Sequence, residues 1–157
     1  MYPTIRFLGA VGTVTGSRFI VEGSSSKVMI DCGLFQGIKP LREMNWRRLP
    51  IDVTQVDAVI LTHAHLDHCG YLPLLRKQGF KGKIWMTPPT AALAEIILRD
   101  SARIQEEDAE QANQHAYTKH NPAKPLYTED DVLDTLPLFK LTEDDTWHTF
   151  QTILKSS

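Results

Sequence analysis

Only two cysteines, Cys32 and Cys69, occur in 157 residues, and they form no C-x-x-C pair. Two are too few for a disulfide scaffold, and they suit a reducing compartment in which both remain thiols packed as small hydrophobes. Long apolar runs are also lacking. No window approaches the ~18 consecutive apolar residues of a membrane span, and Met1-Tyr2-Pro3-Thr4 is not the basic-then-apolar start of a secretory signal. The expectation is a cytoplasmic chain with no membrane partner. Neither charge is in excess: 17 Lys and Arg against 19 Asp and Glu leave a formal net charge of −2, which gives no general attraction for a polyanion. No internal repeat or low-complexity tract is present. What remains, 42% hydrophobic and 23% charged, is the composition of one globular domain that needs no staples to build a core.

Three short β-rich runs open the chain: Thr4 to Leu8, Gly16 to Glu22 and Lys27 to Ile30, with Gly23-Ser24-Ser25-Ser26 as a hairpin connection. Residues 57–62 form a continuous apolar run with branched side chains, as expected of a strand buried on both faces. Leu72 to Gly79 reads as a short helix with proline in its first turn and glycine past its end. Lys83 to Thr87 resumes a strand. Thr90 is placed to cap a long helix from Ala91 to about Gln114, whose second half is mostly polar. A loop over His115 to Pro125 follows, then a capping box at Thr128 to Asp131 opening a helix that ends near Pro137. Trp147 to Leu154 alternates like a strand. Strands and helices in this order predict an α/β layered domain.

The chemistry-bearing stretch is His63-Ala64-His65-Leu66-Asp67-His68, in which four metal-ligating side chains fall within six residues directly after an apolar strand. On an extended strand end, residues 63, 65 and 67 share a face, and the turn into a following helix brings His68 toward the same cavity. Three imidazoles and a carboxylate suit zinc, with manganese or iron as substitutes. The spacing is too tight for all four to close on one ion, whereas two ions roughly 3.5–4 Å apart would distribute them. The opposing reading is exposed loop histidines with Asp67 as a helix cap. Side-by-side imidazoles in an apolar setting are costly without a metal or partner, which favours the metal.

At this motif the sequence resembles the metallo-β-lactamase superfamily. Phe7-Leu8-Gly9-Ala10, Val14-Thr15-Gly16-Ser17 and Ile30 to Gly37 resemble the opening of its β-CASP group, RNA-processing nucleases similar to the cleavage and polyadenylation endonuclease. Ile104 to Ala109 and Pro125 to Val132 continue the likeness, which covers the chain from Thr4 to about Phe139. The resemblance implies a partial metallo-β-lactamase fold, the N-terminal half of an αββα layered sandwich. It implies a hydrolase that cleaves RNA phosphodiester bonds with a metal-activated water. His63 and His65 would bind the first metal and Asp67 and His68 the second. Asp67 would also accept a proton, and Asp31 would orient the second motif through hydrogen bonds. By residue type alone, Asp31 is equally a turn-forming aspartate.

The C-terminal part departs from the family pattern. No Gly-His-x-x-Gly third motif, bridging aspartate or inserted β-CASP domain is present. His115, His120 and His148 have no such context and are expected at the surface. Residues 1–157 therefore resemble the N-terminal part of a longer metallo-β-lactamase domain, and association with itself or with a complementing C-terminal fragment is expected. Two alternatives compete with the RNA-cleaving reading. One is another hydrolase of the superfamily, acting on a thioester, lactam or DNA. The other is a non-catalytic binding or assembly protein. The basic cluster Lys39, Arg42, Arg47 and Arg48 bears only lightly on the choice, since such clusters are usually solvated surface.

Overall fold

A computed structural model describes residues 2–115 and 122–148. Among these residues, six strands lie in sequence order in one sheet: β1 (Thr4–Phe7), β2 (Phe19–Glu22), β3 (Lys27–Ile30), β4 (Ala58–Ile60), β5 (Lys83–Met86) and β6 (Phe139–Leu141). The first three are antiparallel and the last three join in parallel. Five α-helices connect or follow them: α1 (Lys39–Glu43), α2 (Leu66–Cys69), α3 (Leu72–Lys77), α4 (Pro88–His115) and α5 (Glu129–Thr135). The expected α/β architecture is present, with single 3₁₀ turns at Met44–Trp46, Val53–Gln55 and Leu136–Leu138.

The hairpin from β2 to β3 closes through the Gly23 N–H on the Ser26 carbonyl at 2.8 Å. Asp57 then sets the register of the parallel part. Its carboxylate accepts from the Lys27 N–H at 2.7 Å, while its own N–H donates to the Lys27 carbonyl at 2.8 Å. Ile20, Met29, Val59 and Ile84 are register partners across four strands and all are buried. Against that row pack Leu72 and Leu75 of α3, Ala94, Leu98 and Ala102 of α4, Tyr127, and Val132 of α5. Burial of such side chains, each contributing roughly 1.5–3 kcal/mol, holds the helical layer to one face of the sheet.

Several boundaries differ from expectation for identifiable reasons. The long helix starts at Pro88, before Thr90, because the Thr87 carbonyl accepts from Ala91 N–H at 3.0 Å and two prolines without N–H groups fit the first turn at no cost. The second strand begins only at Phe19, since Ser17 leaves the sheet to bond with the Asp67 carbonyl at 3.0 Å and with Gly33 N–H at 3.1 Å. Helices α1 and α2 and strand β6 are too short for periodicity to reveal. The capping box at Thr128 and Asp131 is formed as expected. Trp147 and His148 are irregular, and the rest of the strand expected over Trp147 to Leu154 lies outside the described residues.

Candidate metal centre

Strands β3 and β4 run parallel, so they deliver Asp31 and Thr62 to the same end of the sheet, the usual location of sites in α/β proteins. Asp31 N–H donates to the Ile60 carbonyl at 2.9 Å, which extends the pairing by one step. There the backbone turns sharply: Asp31 has φ +57°, a region that Asp and Asn tolerate better than most residues. The turn buries the Asp31 carboxylate, which is 3% exposed. Oδ1 accepts from Thr62 N–H at 2.8 Å, the Thr62 hydroxyl lies 3.0 and 2.8 Å from the two oxygens, and Oδ2 lies 2.8 Å from His68 Nδ1.

These contacts assign two imidazole tautomers. An ionised carboxylate only accepts, so His68 Nδ1 carries a proton and the Thr62 hydroxyl donates its hydrogen bond to Asp31. The Thr62 oxygen, 2.9 Å from His63 Nδ1, then accepts the proton of that nitrogen. In both rings the lone pair is left on Nε2, directed away from Asp31 and available to a cation. Thr62 is a site residue that the sequence reading missed; its position directly before the motif was the available sign.

Two backbone segments clamp the motif. Cys32 N–H donates to the His68 carbonyl at 2.8 Å and Leu34 N–H to the Leu66 carbonyl at 3.1 Å. Gly33 sits between them with no room for a side chain, because a Cβ there would lie 1.6 Å from the Asp67 carbonyl oxygen. Arg18 supports this segment from beneath. Its Nε donates to the Gly33 carbonyl at 2.9 Å, and its guanidinium stacks over Phe35 and Tyr71 at 4.8 and 4.1 Å. Burial pulls the Arg18 pKa below its ordinary value.

His63 and His65 are an edge-on pair 4.7 Å apart, and His63 lies 4.0 Å from His68, ring centre to ring centre. The three imidazoles are thus brought together as expected. Asp67 differs from expectation, because α2 begins at Leu66 and so places Asp67 on a helical turn rather than on an extended face with residues 63 and 65. Nor does Asp67 cap that helix: His65 occupies the cap position, and no side chain bonds there. Instead the Asp67 carboxylate lies 3.5 Å from His68 Nε2.

That separation is informative. A lone pair on Nε2 facing that carboxylate is matched by a cation between them, and a proton on Nε2 by a direct ion pair. Ligand bonds of about 2.0–2.2 Å at a tetrahedral angle would put nitrogen and oxygen roughly 3.4 Å apart, so the pair fits a divalent ion. Among the described residues no group of three His, Cys, Asp or Glu side chains is arranged around a common ion position. Cys32 and Cys69 are fully buried beside the site, and burial raises each thiol to about 12.

The other histidines lie elsewhere. His115 ends α4, exposed, with Nδ1 2.9 Å from the Gln111 carbonyl. His148 is half-buried, its ring centre 5.6 Å from that of Trp85. His120 lies outside the described residues.

A profile of the metallo-β-lactamase superfamily matches residues 11–152. Ribonuclease TTHA0252 of Thermus thermophilus is 42% identical over 99 residues, covering 63% of the chain and 22% of that protein. Endoribonuclease YSH1 of Gibberella zeae is 31% identical over 148 residues, covering 93% of the chain and 16% of that protein. Among solved structures, the Rm3 metallo-β-lactamase aligns with a TM-score of 0.41 and 24% identity over 56% of the chain and 31% of its own. The chain therefore spans about a fifth of the length of the curated relatives it matches.

Proposed function

The chain belongs to the metallo-β-lactamase superfamily, and we propose that it supplies the N-terminal part of a two-metal centre that hydrolyses RNA phosphodiester bonds. The observation that carries this reading is the Asp31–Thr62 network, which turns the Nε2 lone pairs of His63 and His68 outward. His63 and His65 would hold one ion and Asp67 and His68 the second, zinc being the ion that imidazole and carboxylate donors suit best. A metal held there would supply an activated water and offset charge on the scissile phosphate. Asp67, beside His68 on the one-turn helix, would serve both as a ligand and as the group that takes a proton. Asp31 and Thr62 fix ring orientation without touching the ion. RNA as substrate is supported by the relatives named ribonuclease and endoribonuclease. A cytoplasmic location is part of the same reading, supported by two thiols left unpaired.

The test is zinc titration with metal analysis of the protein and of a His63→Ala/His65→Ala variant, alongside metal-dependent cleavage of single-stranded RNA. Metal uptake should fall sharply in the variant. Equal metal content in the two proteins would remove the motif from the site, and cleavage of a thioester or lactam in preference to RNA would replace the substrate.

A further inference from the structure

Beyond the metal motif, three of the stretches that carry the likeness to RNA-processing nucleases are residues 30–37, 104–109 and 125–132. They are distant in the chain, and none of them holds the histidine cluster. The structure nevertheless gathers parts of all three around one pocket of about 570 Å³, within the roughly 300–1,000 Å³ of ordinary ligand sites. Leu66, which stands between His65 and Asp67, forms part of its wall. The pocket thus adjoins the one-turn helix that carries the metal motif.

Some polar groups of the lining are spent on the pocket's own shape. Asn45 accepts from Phe35 N–H and donates to the Phe35 carbonyl, each at 2.8 Å. Gln105 accepts from Leu126 N–H and donates to Ser101 Oγ, each at 3.0 Å. Trp46 is of another kind: this large indole lines the pocket and stays 60% exposed. Arg42 and Lys124, both exposed, lie on the same lining, and exposed Arg47 and Arg48 follow Trp46 directly. A chain with net charge −2 therefore sets two cationic side chains, Arg42, which donates to the Gly37 carbonyl, and Lys124, on the same lining as one exposed aromatic and the acidic Asp108. An aromatic platform interleaved with cations is how single-stranded nucleic acid is held, by base stacking and phosphate contacts.

We infer that this pocket is a subsite for one nucleotide of single-stranded RNA, with its base stacked on Trp46 and its flanking phosphates beside Arg42 and Lys124. Gln36 and Asp108 are also on the lining; Asp108, which only accepts, would favour a base presenting amino or imino hydrogens. The inference deepens the RNA reading above and rests on it. Bound here, a nucleotide positions the strand for hydrolysis on the other side of Leu66.

The test is fluorescence anisotropy of a short labelled single-stranded oligoribonucleotide with the 157-residue chain and its variants, their folding checked by circular dichroism. Trp46→Ala should weaken binding roughly 5- to 100-fold, the effect of losing one stacked base, and Trp46→Phe should restore most of it. Lys124→Ala should lower the slope of log affinity against log salt by about 0.7, one phosphate contact on a single strand. Wild-type affinity in Trp46→Ala overturns the subsite while leaving the RNA reading intact. Absence of RNA binding by a folded wild type that still takes up metal through His63 and His65 overturns both the subsite and the RNA substrate, and spares the metal centre.

Discussion

Asp31 touches none of the proposed ions, yet it determines which nitrogen of two histidines faces them. Its carboxylate accepts a hydrogen bond from His68 directly and, through Thr62, orients His63. Asp31→Asn separates that role from the turn, because asparagine tolerates the same positive φ but replaces one acceptor oxygen with a donor. His68 Nδ1 and the amide then compete to donate. Zinc affinity should fall 10- to 100-fold, as is typical when an orienting partner is lost, while the circular dichroism spectrum is retained. Competition titration with a chromophoric chelator measures this, and unchanged affinity would reduce Asp31 to a turn residue.

At the scale of elements, α5 shows how a short helix is held by its first turn. Thr128 Oγ1 accepts from Asp131 N–H at 3.3 Å, and the Asp131 carboxylate accepts from Thr128 N–H at 2.9 Å and from Lys77 of α3 at 3.2 Å. Burial works to raise the Asp131 pKa, but the Thr128 and Lys77 contacts outweigh it and hold the carboxyl below its ordinary value. A depressed folded pKa means that the charged form contributes stability above the unfolded pKa of about 3.9, and that this contribution is lost as pH falls through the folded value. Asp131→Asn should therefore be less stable than wild type at pH 7, and the gap should close in strongly acidic solution. Thr128→Ala should cost about 1 kcal/mol. Urea unfolding midpoints across pH would show both, and a gap of equal size at the two extremes would contradict the assignment. This cap was legible in the sequence because it is local, its two partners lying three residues apart. The same holds for the convergence of His63, His65 and His68. Thr62 offered only its place before the motif as a sign, since its role depends on Asp31, 31 residues away. The helical setting of Asp67 was hidden because one turn leaves no periodicity to read, and β6, with three residues, failed for the same reason.

At the scale of the molecule, the sheet is covered unequally. The row of Ile20, Met29, Val59 and Ile84 lies under the helices. The opposite face carries Ile5, Phe7, Phe19, Val21, Val28, Ile30 and Ile60, by the alternation of the paired strands. That face is as apolar as the first, yet among the described residues it is only half covered, and Ile5 and Phe7 on β1 remain 61% and 60% exposed. Strand β1 is also the sheet's outer edge, with a partner on one side only among the described residues. An exposed apolar edge strand is a template for pairing, and a contiguous apolar face seeks cover. The 157-residue chain alone is therefore expected to self-associate. Sedimentation velocity over a range of concentrations should show species larger than a monomer, and Ile5→Lys/Phe7→Lys should shift the distribution back toward it, since charges on the edge and face oppose both modes of association. A wild type that sediments as a monomer at every concentration would mean that this face is already covered within a single chain, and the double variant would then lose stability instead of gaining solubility.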